Sequence, residues 1–225
     1  MPGYLTKNES IAVTGVAQLQ IRSLLDHQQF SDPQGDAERA GISSAAWPIF
    51  GLLWPSGLLL AERLALRPVT AGERILEVGC GLALASLVGH RRGADMTASD
   101  CHPLAGAFLT ENLRINGLPP MKYGVGNWAD ATPPGPLQVQ GLFGLIIGSD
   151  VLYERTASQL LAGFIGRHAP LQSEVWIVDP NRSNRAAFGH RMQDLGYALS
   201  DERIHSTATL TRAAYRGHCL VYRRG

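Results

Sequence analysis

The spacing of apolar residues along this chain changes period several times, and each change marks an element. Residues 13–25 carry a partly alternating apolar series (Val13, Val16, Leu19, Ile21, Leu24), which predicts a strand or hairpin. Residues 26–42 are polar, with Pro33, Gly35 and Gly41, and predict a loop. A helix is expected over Ser56–Leu66, ended by Pro68 and Gly72. A repeat then sets in. Strands are expected at Arg74–Val78, Ala94–Ser99, Lys122–Gly126, Leu142–Ser149 and Glu174–Asp179. Helices are expected at Leu82–Arg92, Pro103–Asn116, Thr156–His168 and Asn184–Leu195. The proline-rich stretch 129–140 predicts a loop, and two late strands near Ala198–His205 and Ala213–Arg223 have no helix between them.

Short apolar strands alternating with helices imply an α/β protein: a Rossmann-like, mostly parallel sheet covered by helices on both faces. From residue 74 the strands number seven, and the last two, joined without a helix, put an antiparallel strand near the C-terminus. Ligands in such sheets sit at the carboxyl ends of the strands. Those ends are Glu77–Gly81, Asp100, Asn127–Trp128, Ser149–Asp150 and Asp179–Pro180.

At 225 residues the chain can bury a substantial core. It divides into an N-terminal extension, 1–46, of strand or hairpin and loop, and a main domain, 47–225. Twenty basic against nineteen acidic residues give no electrostatic reason to expect nucleic acid as partner. Cys80, Cys101 and Cys219 are odd in number and lack metal-ligand spacing, so a reduced cytoplasmic protein without bound metal is expected. Met1–Ser10 lacks the basic and apolar regions of a secretory signal. The apolar stretch 47–66 is interrupted by two prolines, two glycines, Glu62 and Arg63, so no membrane association is expected.

The turn Glu77-Val78-Gly79-Cys80-Gly81 follows a strand, opens a helix, and is answered by Asp100 about twenty residues on, the arrangement of a nucleotide-binding βαβ unit. A side chain at Gly79 or Gly81 would intrude on the ligand or the turn. Cys80 reads as a small filler rather than a nucleophile, because no basic neighbour would lower its pKa. Asp100 suits either vicinal ribose hydroxyls or the N-cap of the helix near Pro103. Trp128 could pack on an adenine ring or anchor its loop. Trp54 could be a core anchor or a lid over a cation. Asp150 and Tyr153, three residues apart, would share one side of a helical turn where substrate meets cofactor, or merely cap and pack. Arg182 suits a turn or the substrate mouth, and His102 a helix start.

Together, Leu53-Trp54-Pro55-Ser56-Gly57, the Glu77–Gly81 turn, Asp100, Asn127-Trp128 and Asp150-Val151-Leu152-Tyr153 resemble the class I, seven-β-strand methyltransferases, and within them the methyltransferase-16 group of lysine methyltransferases. The resemblance spans about residues 47–180. It implies S-adenosyl-L-methionine as cofactor. It also implies that Trp54, Glu77, Gly79, Cys80, Gly81, Asp100, Cys101, Asn127, Trp128 and Ser149 contact that cofactor, and that Asp150 and Tyr153 border the acceptor. Two positions depart from the pattern: Ala83, where many members have glycine, and Asn127, where an acid is common. Residues 1–46 fall outside the matched motifs, and substrate choice is expected to lie there.

The expected function is methyl transfer to a protein lysine, with an acceptor amine that arrives neutral. A small-molecule N-methyltransferase and a cofactor-binding protein without catalysis are the alternatives, because fold does not fix substrate.

Overall fold

The computed structural model describes residues 4–129, 135–209 and 212–225. Residues 130–134 of the expected proline-rich loop, residues 1–3 of the extension and residues 210–211 lie outside the described residues. In chain order, a hairpin of β1 (Thr6–Ile11) and β2 (Leu19–Leu24) is followed by a one-turn helix α1 (Asp36–Arg39), two 3-10 turns, and α2 (Pro55–Leu66). Then come β3 (Arg74–Val78), α3 (Leu84–Arg91), β4 (Asp95–Asp100), α4 (Ala105–Ile115) and β5 (Lys122–Val125). The chain continues through β6 (Leu145–Ser149), α5 (Arg155–His168), β7 (Ser173–Asp179), α6 (Arg185–Asp194), β8 (Ala198–Ser206) and β9 (Tyr215–Arg224).

Seven strands form one sheet in the order β5-β4-β3-β6-β7-β9-β8. β3 to β7 run parallel, and β9, inserted between β7 and β8, is antiparallel to both. The order reverses beside β3, so a crevice opens at the carboxyl ends of β3, β4 and β6. The middle strands are continuous apolar runs because both faces are covered. Ile75 and Ile147 pack with Leu60, Leu87 and Phe108 of α2, α3 and α4. Leu76 and Ile146 pack with Leu161 and Phe188 of α5 and α6 on the other side. Each buried aliphatic side chain contributes about 1.5–3 kcal/mol.

The N-terminus adds to two expectations. Of the strand or hairpin expected at 13–25 the structure forms one strand, β2 at 19–24, and its partner is the earlier segment Thr6–Ile11. No residue of β1 is fully buried, so its sequence, TKNESI, carries no apolar signal. The loop expected over 26–42 contains α1.

The free edge of β2 is closed by two asparagines one turn apart, Asn112 on α4 and Asn116 at its C-cap. Asn116 accepts from the Gln20 N–H at 2.9 Å and donates to the Gln20 carbonyl at 2.6 Å. Asn112 does the same for Arg22, at 2.7 and 3.3 Å. Two side-chain amides thus stand in for a neighbouring strand, and the buried Asn112 is hydrogen-bonded rather than orphaned. By length and hydropathy alone Ser44–Leu66 could cross a membrane. Here it is broken into two 3-10 turns and α2, and Leu60, Ala61 and Leu64 are buried in the core.

Candidate functional site

The carboxyl ends of the strands, the turn after β3 and the segment 40–54 enclose a cavity of about 340 Å³. That is within the range of small-molecule sites. All twelve residues singled out from the sequence line it: Trp54, Glu77, Gly79, Cys80, Gly81, Asp100, Cys101, Asn127, Trp128, Ser149, Asp150 and Tyr153.

The turn after β3 is held from several sides. Gly79 and Gly81 are left-handed, at φ 57° and 51°. A Cβ on Gly81 would stand 2.7 Å from the Phe50 carbonyl oxygen, and one on Gly79 would stand 2.7 Å from Val151 Cγ1. Glycine is therefore required here by protein packing, whatever ligand the turn faces. Ala83, just before α3, is also left-handed, at φ 57°. That conformation costs a non-glycine residue about 1 kcal/mol. Cys80 is buried, its N–H donates to the Ser99 carbonyl, and burial pushes its thiol pKa well up, so it is no nucleophile at neutral pH.

Two carboxylates face the cavity from beneath. Glu77 Oε2 accepts from the N–H and hydroxyl of Ser86 on α3 at 2.7 and 2.5 Å. Burial still raises its pKa to about 7, with the Asp100 charge adding to the shift. Asp100 does not cap α4, whose first turn has no side-chain cap. Instead its Oδ2 accepts from the Gly81 N–H and its Oδ1 from the His102 N–H, both at 2.8 Å. It ties β4 to the glycine turn and keeps lone pairs for a ligand. Burial raises its pKa, opposed by these N–H donors.

Aromatic groups frame the cavity. Trp128 lies against the turn, with its ring 3.6 Å from where a Gly79 Cβ would be. Asn127 Oδ1 accepts from the Ala129 N–H and fixes the loop. Trp54 donates its indole N–H to the Ile49 carbonyl at 3.0 Å and stays 38% exposed, so it is a rim residue rather than a core anchor. His102, read from sequence as a helix start, is a buried wall residue stacked on Phe50 with centroids 3.6 Å apart. Burial lowers its pKa to about 4, so the ring is neutral.

On the far wall the expected helical turn across Asp150–Tyr153 is absent: the segment is irregular and α5 begins at Arg155. Asp150 is instead left-handed, at φ 57°, with its N–H bound to the Val178 carbonyl of β7. That strain and tether turn its carboxylate toward Arg182, whose Nη2 donates to Oδ1 at 3.0 Å. Arg182 sits in the turn after β7, where its own N–H donates to Asp179 at 2.7 Å. Tyr153 is half-exposed at the rim, and its phenol, pushed up to about 12 chiefly by burial, stays protonated.

Gly41, Ile42 and Ser43 of the extension also line the cavity, as does Leu160 of α5. No motif or local periodicity marks them, because tertiary packing brings them there.

No protein-family model matches the chain. It is 28% identical over 212 residues to the rat (Rattus norvegicus) electron transfer flavoprotein beta subunit lysine methyltransferase, covering 89% of this chain and 75% of that protein. It is 30% identical over 130 residues to the zebrafish (Danio rerio) protein N-lysine methyltransferase METTL21A, covering 56% of each. Among solved structures, a methyltransferase from Pyrococcus furiosus superposes with a TM-score of 0.57 at 20% identity, over 87% of this chain and all of that one. Magnesium protoporphyrin IX methyltransferase from Synechocystis, with bound S-adenosylmethionine, superposes with a TM-score of 0.52 at 16% identity, over 68% of this chain and 71% of that one. The chain therefore has the class I methyltransferase fold and is a homologue of protein lysine methyltransferases.

Proposed function

We propose that this protein is an S-adenosylmethionine-dependent methyltransferase that N-methylates a lysine side chain of another protein. The observation that carries this reading is the wall opposite the glycine turn. There an ion-paired carboxylate, Asp150, and a protonated phenol, Tyr153, border a cavity whose rim residues Ile49, Trp54, Tyr153 and Leu160 are all more than a third exposed. An open rim admits a side chain carried on a folded protein. The lysine methyltransferases among the relatives support the same acceptor.

The residues present suit the cofactor. Buried Glu77 and the Gly79–Gly81 turn with Cys80 would hold its amino-acid end, and Asp100 its ribose hydroxyls. Trp128, Asn127 and Cys101 would flank the adenine, while Ser149 and Trp54 would lie along the rest. Two acidic groups in a partly enclosed site suit a ligand bearing an ammonium and a sulfonium. When bound, S-adenosylmethionine supplies a methyl group that a neutral amine can take.

The task left to Asp150 is orientation. An unpaired carboxylate would stabilise the protonated, unreactive ammonium of an arriving lysine. Arg182 offsets that charge, so Asp150 can accept an N–H from the neutral amine without holding it as a cation. Alignment of this kind can account for about 7–11 kcal/mol of a barrier. The extension, residues 1–46, contributes to substrate choice through the segment 40–46 that lines the cavity. The three free thiols agree with a cytoplasmic location, and nucleic acid and membrane are not the proposed partners.

The test is incubation of the purified protein with labelled S-adenosylmethionine and electron transfer flavoprotein beta subunit, with methylated lysines located by mass spectrometry. Transfer is expected, and Asp150→Ala should abolish it while calorimetric binding of the cofactor persists. Full transfer by the variant would remove Asp150 from the mechanism. Absence of cofactor binding by folded protein would end the methyltransferase reading.

A further inference from the structure

The charge of this nearly neutral chain is unevenly placed. Residues 181–225 hold eight arginines against three carboxylates, whereas residues 1–180 hold twelve basic residues against sixteen acidic ones. The register of the last two strands concentrates part of that excess. Arg203 stands opposite His218, and His205 opposite Arg216. Directly paired residues share a sheet face, so all four basic side chains lie on one side of the β8–β9 ribbon. Arg203, His205 and Arg216 are exposed, and the two arginines have no carboxylate partner among the described residues. Asp201, on the same face, is already engaged by His218 at 2.6 Å and Arg185 at 3.9 Å.

This strip is continuous with the cavity. Arg185 reaches Asp179 at 3.7 Å, Asp179 accepts from the Arg182 N–H, and Arg182 pairs with Asp150 on the cavity wall. Each of the two arginines without a carboxylate partner faces a histidine across the ribbon, so among the described residues no group on this face offsets their charge. Their presence on the acceptor side therefore points to a partner that offsets them. The strip presents no exposed aromatic side chain on which a base could stack: Tyr215 is buried on the opposite face, and Tyr222, on the same face, is fully buried. The rest of the chain is net acidic and would repel a long polyanion.

We propose that Arg203 and Arg216, with the flanking His205 and His218, dock an acidic segment of the protein acceptor, so that the methylated lysine lies near a run of carboxylates. This rests on the reading that the acceptor is a protein lysine, but docking is measurable without transfer. Protein saturated with S-adenosylhomocysteine is titrated into fluorescein-labelled peptides, one with a central lysine among glutamates and one with glutamines in their place, followed by fluorescence anisotropy. The glutamate peptide should bind at least about tenfold more tightly at low salt, and the advantage should vanish at high salt. Arg203→Glu with Arg216→Glu should remove it, with glutamine at both positions intermediate, while cofactor affinity and circular dichroism stay unchanged. Equal binding of the two peptides, or full binding by the double variant, overturns the proposal. So does tighter binding of a single-stranded RNA oligomer that the same variant abolishes. Docking without any methyl transfer would instead count against the function alone.

Discussion

Buried acids line the floor of the cavity and arginines gather beside its far wall, and the two sets are held differently. On the β3–β4 side, Glu77 and Asp100 are buried, hydrogen-bonded to Ser86, Gly81 and His102, and pushed by burial toward their neutral forms. On the β7–β9 side, Arg182 and Arg185 are half-buried in ion pairs, and Arg203 and Arg216 are exposed. Buried acids are costly to ionise and become worthwhile only when a cationic ligand arrives. Exposed arginines cost little to maintain and act over a distance of about 10 Å. On the proposed reading, the acids hold a small cation and the arginines steer and align a large acceptor.

The largest effect should come from the turn that shapes the acidic half. Gly81→Ala places a methyl group against the Phe50 oxygen at a positive φ, and should cost about 3 kcal/mol or more in urea denaturation, with loss of cofactor binding. An effect below about 1 kcal/mol would mean that segment 49–51 yields easily.

Glu77→Gln tests whether the acid is a stability cost. Because the folded carboxyl titrates near 7 rather than near 4.5, the native state holds its proton more readily than the unfolded chain does. Its stability contribution is then present below about pH 4.5 and is lost as pH rises to about 7. The variant should escape that loss and gain on the order of 2–3 kcal/mol over wild type at pH 8. It should also bind cofactor less tightly. A gap between the two that does not widen with pH would show that Glu77 is not titrating there.

Asp100→Ala should weaken cofactor affinity by up to about a hundredfold, a 1–3 kcal/mol loss measured by calorimetry. Part of that loss reflects the freed Gly81 N–H. On the arginine side, Arg182→Gln should leave cofactor affinity intact but move the acid limb of the transfer-rate profile up by about one pH unit, since Asp150 would then favour the ammonium. An unmoved limb would leave Arg182 a structural role only. The smallest effect is expected of Ala83→Gly. Relief of the left-handed strain and loss of a buried methyl nearly cancel, so thermal melting should change by less than about 1 kcal/mol.

The same contrast explains what was legible beforehand. Strands β3, β6 and β7 stood out because helices cover both their faces, which demands unbroken apolar runs. β1 did not, because its partly exposed surfaces accept Thr, Lys, Asn, Glu and Ser, and its pairing is set by β2, whose other edge is held by Asn112 and Asn116. The helical turn expected at Asp150–Tyr153 failed for a related reason. Spacing in sequence says nothing of the bond from Asp150 N–H to Val178 on the neighbouring strand, which holds that residue left-handed instead.

By itself, then, the sequence determined the alternating α/β order, the glycine turn with its two acids, and the positions of the residues that line the cavity, because each follows from local periodicity or from a strand's end. Tertiary structure alone decided that Asp100 clamps Gly81, that Arg182 faces Asp150, that the extension lends the segment 40–46 to the cavity wall, and that four basic side chains share one face of β8–β9. Each of these joins residues 15 or more apart or depends on strand register, and register is fixed by the packing of the whole sheet.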